Sequence, residues 1–107
     1  MTRSCGRRFD EIALGEVLPA MDVVLPVADT PIASLIERFV AAWAGGGATL
    51  DRVRVTRHLP ARSDAGLRLA GRVYGRHMDG SRRIEVEVTG RDGLEDRVRG
   101  MVCVRLA

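Results

Sequence analysis

The side chains able to move a proton are few in this 107-residue chain and lie far apart in sequence. Asp29 stands directly before an apolar, helix-patterned run, Glu37 interrupts that run, and His58 and His77 fall at or near the ends of strand-patterned segments. A carboxylate at Asp29 or Glu37 has the chemistry of a general acid or base. Asp29 serves equally as a cap for the first helical N–H groups and as a complement to the helix dipole, the better supported of its two roles. Glu37 also reads as an exposed or ion-paired side chain. Neither histidine has a carboxylate at a fixed offset, which leaves both as structural or solvated groups. Cys5 and Cys103 form no CxxC pair and have no His cluster beside them, so no metal site is expected, and no pattern calls for a cofactor. Phe39 and Trp43 could line an apolar pocket, although at helical spacing such residues more often belong to the core.

The element carrying Glu37, Phe39 and Trp43 has the clearest boundaries in the sequence. Asp29 and Thr30 offer capping oxygens, Pro31 suits the first helical position where its missing N–H is harmless, and Gly45-Gly46-Gly47 ends the run, predicting a helix from Pro31 to Ala44. Within it Ile32, Leu35, Ile36, Phe39, Val40 and Trp43 form one face at 3.6 residues per turn. Ala33, Ala41, Ala42 and Ala44 widen the apolar surface, leaving Ser34, Glu37 and Arg38 as the polar positions. Most of this helix should therefore be covered by protein.

Strand periodicity surrounds it. Ala20 to Val27 reads as a first strand, with Pro19 before it and Pro26 near its end. Phe9 to Glu16 suits a short helical turn or a loop leading into that strand. After the glycines, Val53 and Val55 alternate with Arg52 and Arg54, and three further sets share one parity each. These are Leu67, Leu69, Gly71, Val73 and Gly75; Ile84, Val86 and Val88; and Val98, Gly100, Val102, Val104 and Leu106. The connections are 60–66, Met78-Asp79-Gly80-Ser81 and Arg91-Asp92-Gly93, and the Asp-Gly pairs are tight-hairpin chemistry. An antiparallel meander of four strands is expected, with the helix laid across its concave face. Gly71, Gly75, Gly90 and Gly100 would permit curvature or the close approach of helix or ligand.

Length allows one core only. A domain of this size is marginal by itself and a natural candidate for dimerisation. Met1 to Arg8 reads as a flexible tail and 9–107 as a single domain. The net charge of +3 comes from seventeen basic residues, all arginine, scattered among apolar positions rather than gathered on a helix with stacking aromatics. Nucleic acid is accordingly not the expected partner. No segment has the length and apolarity of a membrane span or the pattern of a signal peptide, so a cytoplasmic protein with no membrane association is expected.

Taken in order, these segments resemble the hot-dog fold, and within it the MaoC-like (R)-specific enoyl-CoA hydratases and hydroxyacyl-thioester dehydratases. The stretch Phe9-Asp10-Glu11-Ile12-Ala13-Leu14-Gly15-Glu16-Val17-Leu18-Pro19 looks like the "F-x-D-L-x-x-G-x-x-L-P" opening of that family. Pro31-Ile32-Ala33, with Leu35, Phe39 and Trp43-Ala44-Gly45, looks like its central helix. Val86 to Gly93 and Val98 to Val104 look like its final hairpin. The resemblance implies an α+β hot-dog domain, an antiparallel sheet of about five strands wrapped around one central helix, with an acyl-CoA or acyl-carrier thioester as ligand. Ser34, Leu35, Phe39 and Trp43 would meet that ligand, and Arg57, Arg62 and Arg76 are candidates for the phosphates of coenzyme A.

The departures from the family pattern bear on catalysis. Active hydratases carry an Asp, and a His five positions later, between the first strand and the helix. Here only Ala28, Asp29 and Thr30 separate Val27 from Pro31, and no Asp-x-x-x-x-His occurs anywhere in the chain. Ser34 replaces the usual His of the helix start and Leu35 the usual Gly. Hydration of an enoyl thioester needs a base for water, an acid for Cα and donors for the thioester oxygen. The first two are missing, while the helix N-terminus could still supply the third. The resemblance therefore implies a non-catalytic subunit, a homodimer or a heterodimer with another hot-dog chain, whose partner supplies the hydro-lyase chemistry on bulky acyl-CoA substrates. The alternative is an independent enzyme, a thioesterase or an isomerase or cyclase on a polyketide- or steroid-like substrate, using Asp29 or Glu37.

Overall fold

A computed structural model describes residues 11–24, 32–46, 48–58, 66–78, 80–93 and 95–106. Its elements are β1 (Val17–Val24), α1 (Ile32–Ala44), β2 (Thr49–His58), β3 (Gly66–Met78), β4 (Arg82–Asp92) and β5 (Glu95–Leu106). Five strands form one antiparallel sheet in the order β1-β3-β4-β5-β2, with α1 packed on one face. Met1 to Arg8 and the beginning of the entry segment at Phe9 lie outside the described residues.

The alternating side chains build the core as their parity requires. Leu67, Leu69 and Val73 of β3, Ile84, Val86 and Val88 of β4, and Val98, Val102, Val104 and Leu106 of β5 all point to the helix side and are buried. Onto them α1 lays Ile36 and Val40, both 0% exposed, with Phe39 and Ala44. Burying such a side chain fully is worth about 1.5–3 kcal/mol. Ile32 and Trp43 close the two ends of the stripe and remain half-buried. Gly45, with φ +79° and its N–H donated to the Ala41 carbonyl at 2.8 Å, stops the helix. Two glycines let it sit close to the sheet. A Cβ at Gly71 would lie 3.1 Å from the Phe39 ring, and one at Gly100 would lie 3.1 Å from Ile36 Cδ1.

Four expectations are corrected. The first strand, Val17–Val24, begins at Val17 rather than Ala20 and contains Pro19, while the expected end at Val27 lies outside the described residues. Leu18 faces Gly71 and Met21 faces Leu69, so Pro19 and Ala20 together oppose Ala70 in a bulge on an edge strand, where the missing proline N–H interrupts no ladder. The helix is also less covered than its composition suggests, because Ala41 and Ala42 join Glu37 and Arg38 on an exposed face. Small side chains carry too little apolar area to determine a buried face. The third correction is topological. Strands β3, β4 and β5 do form a meander, but β2 pairs with β5 at the far edge and not with β3. The helix carries the chain from one edge strand to the other, so that β2 reaches the side of the sheet opposite β1. Lastly, β3 is interrupted by a bulge between Val73 and Gly75, which ends the buried parity at Val73.

The described part of the entry segment begins with a 3-10 position at Glu11 and passes through a turn at Leu14 and Gly15 into β1, as the short helical turn or loop expected there allows. Gly15 donates its N–H to the Val73 carbonyl at 2.9 Å and Val73 returns one to Glu16 at 2.8 Å, while Ile12, 1% exposed, fills the core beside them.

Candidate functional site

The groove beside the helix is built by two elements. The bulge at Pro19 and Ala20 restores the inward parity of β1 at Met21, and across from it α1 presents Phe39, Ala42 and Trp43. These side chains enclose an open cavity of about 250 Å³. Phe39 is 3% exposed and forms the floor, while Met21, 39% exposed, forms a movable wall. Among the described residues no wall residue is ionisable, and these side chains can hold an apolar segment of a ligand without exchanging a proton with it.

Of the residues singled out in the sequence, the structure gathers Phe39 and Trp43 here, and Ser34, Leu35, Glu37 and Arg76 do not line the groove, while the side chains of Arg57 and His58 lie outside the described residues. Glu37 is exposed, and two residues along a helix turn it about 160° away from Phe39. Leu35 is buried, and Ser34 is half-buried roughly 13 Å along the helix axis from Trp43. Neither belongs to the groove wall. Asp29, and with it the immediate approach to the helix, lies outside the described residues, as does Arg62. Arg76 is exposed near the end of β3.

His77 does have a carboxylate, contrary to the sequence reading. Its Nε2 lies 3.5 Å from Glu85 Oε1 across the β3–β4 pair, both side chains being about half exposed. The register His77↔Arg83 puts Glu85 on the same face one pleat away, a relation that the Asp79-Gly80 turn signal carried in principle. The sheet face turned away from the helix is otherwise a lattice of opposite charges. Arg68 bonds Asp22 at 2.9 Å, Arg72 bonds Glu87 at 3.2 Å, Arg91 bonds Asp96 at 2.7 Å and Arg105 pairs with Asp51 at 3.2 Å. The hydrogen bond and charge of Arg68 hold the Asp22 carboxyl below the usual carboxylate range. Burial pushes the Cys103 thiol up. Among the described residues no three His, Cys, Asp or Glu side chains converge as a metal site, and no helix is long and apolar enough to cross a membrane.

No protein-family model matches the chain, and no curated protein matches it significantly. Solved structures do. The ChsH1-ChsH2 complex from Mycobacterium tuberculosis contains a chain 22% identical, with a TM-score of 0.75 over 89% of this chain and 98% of that one. R-hydratase PhaJ1 from Pseudomonas aeruginosa is 12% identical, with a TM-score of 0.74 over 96% of this chain and 87% of its own. A variant of the fluoroacetyl-CoA-specific thioesterase FlK is 16% identical, with a TM-score of 0.61 over 88% and 87%. At these identities the likeness concerns architecture. With the sheet order, the single crossing helix and these neighbours together, the chain has the hot-dog fold.

Proposed function

We propose that this protein is a MaoC-like hot-dog subunit that binds acyl-thioester ligands and acts as the non-catalytic partner of an enoyl-CoA hydratase or dehydratase. The observation that carries the reading is the groove between β1 and α1, apolar on every described wall, with Phe39 and Trp43 against the acyl portion. The chain has no Asp-x-x-x-x-His, so a water-activating pair must come from elsewhere. Ser34 and Leu35, in the first turn of α1 and outside the groove wall, would meet the thioester end, where Leu35 in place of the family's Gly would restrict the approach by its bulk. The likeness to a chain of the ChsH1-ChsH2 complex supports an assembly with another hot-dog chain, and the likeness to an R-hydratase supports the reaction class.

Co-expression with a hot-dog chain that carries the Asp and His tests the proposal. Co-purification, with enoyl-CoA hydration only in the mixture, is the expected result. Robust hydratase turnover by this chain alone would overturn it. The likeness to thioesterases keeps the independent-enzyme alternative concrete. Thioester hydrolysis by the isolated chain, abolished by Glu37→Ala or Asp29→Asn with an unchanged thermal midpoint, would establish that alternative instead.

A further inference from the structure

The sheet face opposite the helix holds a second cavity, of about 260 Å³, where β2, β5 and β4 lie side by side. The register aligns Arg52 with Cys103 and Cys103 with Glu85 in one row, and Arg54 with Met101 in the next. Cys103 and Met101 therefore form the floor, and the two arginines rise from the edge strand as one wall. Arg83 lines the opposite side.

Charge is unevenly committed around this depression. Its carboxylates turn sideways, Asp51 to Arg105 at 3.2 Å and Glu85 toward the His77 ring at 3.5 Å. Arg52 and Arg54 have no hydrogen bond or ion pair among the described residues, whereas Arg68, Arg72, Arg91 and Arg99 on the same face are all paired with carboxylates. Residues two apart on one face of a strand stand about 6.6 Å from each other. Two guanidinium forks at that spacing suit an anion with charge on several oxygens, which each fork can take by parallel hydrogen bonds. The volume is below the roughly 300–1,000 Å³ of pockets for drug-sized ligands, which selects a compact group.

We infer that this depression is a binding site for a compact polyvalent oxyanion, a diphosphate or small dicarboxylate group, held by Arg52 and Arg54 over Cys103. It is separate from the helix-side groove, since the two open on opposite faces of the sheet.

Cys103 gives the site its own reporter. Iodoacetamide, which is uncharged, is applied at low ionic strength, and modification of Cys103 is resolved from that of Cys5 by peptide mass spectrometry. Inorganic pyrophosphate or malonate at millimolar concentration is expected to slow labelling of Cys103 at least fivefold relative to sodium chloride of equal ionic strength. Protection by pyrophosphate alone assigns a phosphate ligand, by malonate alone a dicarboxylate, and by both a site selective for charge rather than shape. The double substitution Arg52→Gln and Arg54→Gln should abolish protection, Arg54→Gln alone should weaken it, and Arg38→Gln on the exposed helix face should leave it unchanged. Protection by neither anion overturns the inference, as does protection that survives in Arg54→Gln at full strength or is reproduced by chloride.

Discussion

A Cβ added at Gly100 would lie 3.0 Å from the Arg54 carbonyl oxygen on β2, and at Gly71 its nearest neighbours would be the Phe39 ring and a Leu18 methyl at 3.1 and 3.2 Å. Backbone on a neighbouring strand yields less readily than the end of a side chain. Gly100→Ala is therefore expected to lose about 1–3 kcal/mol, the range for forcing extra volume into a packed interior, and Gly71→Ala less than that. Urea midpoints of the two variants check the order, and the reverse order would refute the argument. Asp22 offers a pH test. Arg68 lowers its folded pKa below the unfolded value, so the ionised carboxylate favours the fold above about pH 4 and the contribution fades as pH falls through the folded value. Both partners are mostly in water, so Asp22→Asn should flatten the acid limb of the thermal midpoint only slightly. At this scale the sequence pointed to close approach of the helix at Gly71 and Gly100 without naming the partners, because what each touches comes from elements distant in the chain.

The helix and the inward strand parities were legible because burial repeats with a period. Ile36, Phe39 and Val40 are buried at the spacing that marks them, as are the alternating residues of β3, β4 and β5. The position of β2 was not legible. A tight Asp-Gly turn dictates which strand follows beside which, but the stretch 59–65 after β2 is long enough to reach past two strands, and periodicity is blind to neighbours. The site was split in the same way. Phe39 and Trp43 were visible on α1, whereas Met21 entered through a bulge that the plain alternation of Ala20 to Val27 could not foresee. The asymmetry of the helix yields a prediction. Ile36→Ala should lose about 2–5 kcal/mol, since it empties a site 0% exposed, whereas Ala41→Glu on the open face should stay within about 0.5 kcal/mol of the parent. Chemical denaturation of both distinguishes a helix seated on one face from one enclosed all round.

At the scale of the molecule, one sheet and one helix leave the apolar groove between β1 and α1 open to solvent along the same side as the exposed helix face. A chain of 107 residues buries a modest share of its surface, so a second hot-dog chain would supply both stability and a cover for that opening. Light scattering at micromolar concentration should thus give a particle of twice the chain's mass, or a heterodimer when the catalytic partner is present. If the groove takes the acyl chain as proposed, a medium-chain acyl-CoA should raise the thermal midpoint of that assembly by more than coenzyme A does. A ligand at a hundredfold excess over its Kd stabilises by about 2.7 kcal/mol, enough to resolve the difference. Met21→Asp places a charge in the wall at a position 39% exposed, so the fold survives while the acyl increment is lost. Equal shifts for acyl-CoA and coenzyme A, or an increment unchanged in Met21→Asp, would locate the acyl chain outside the space between β1 and α1.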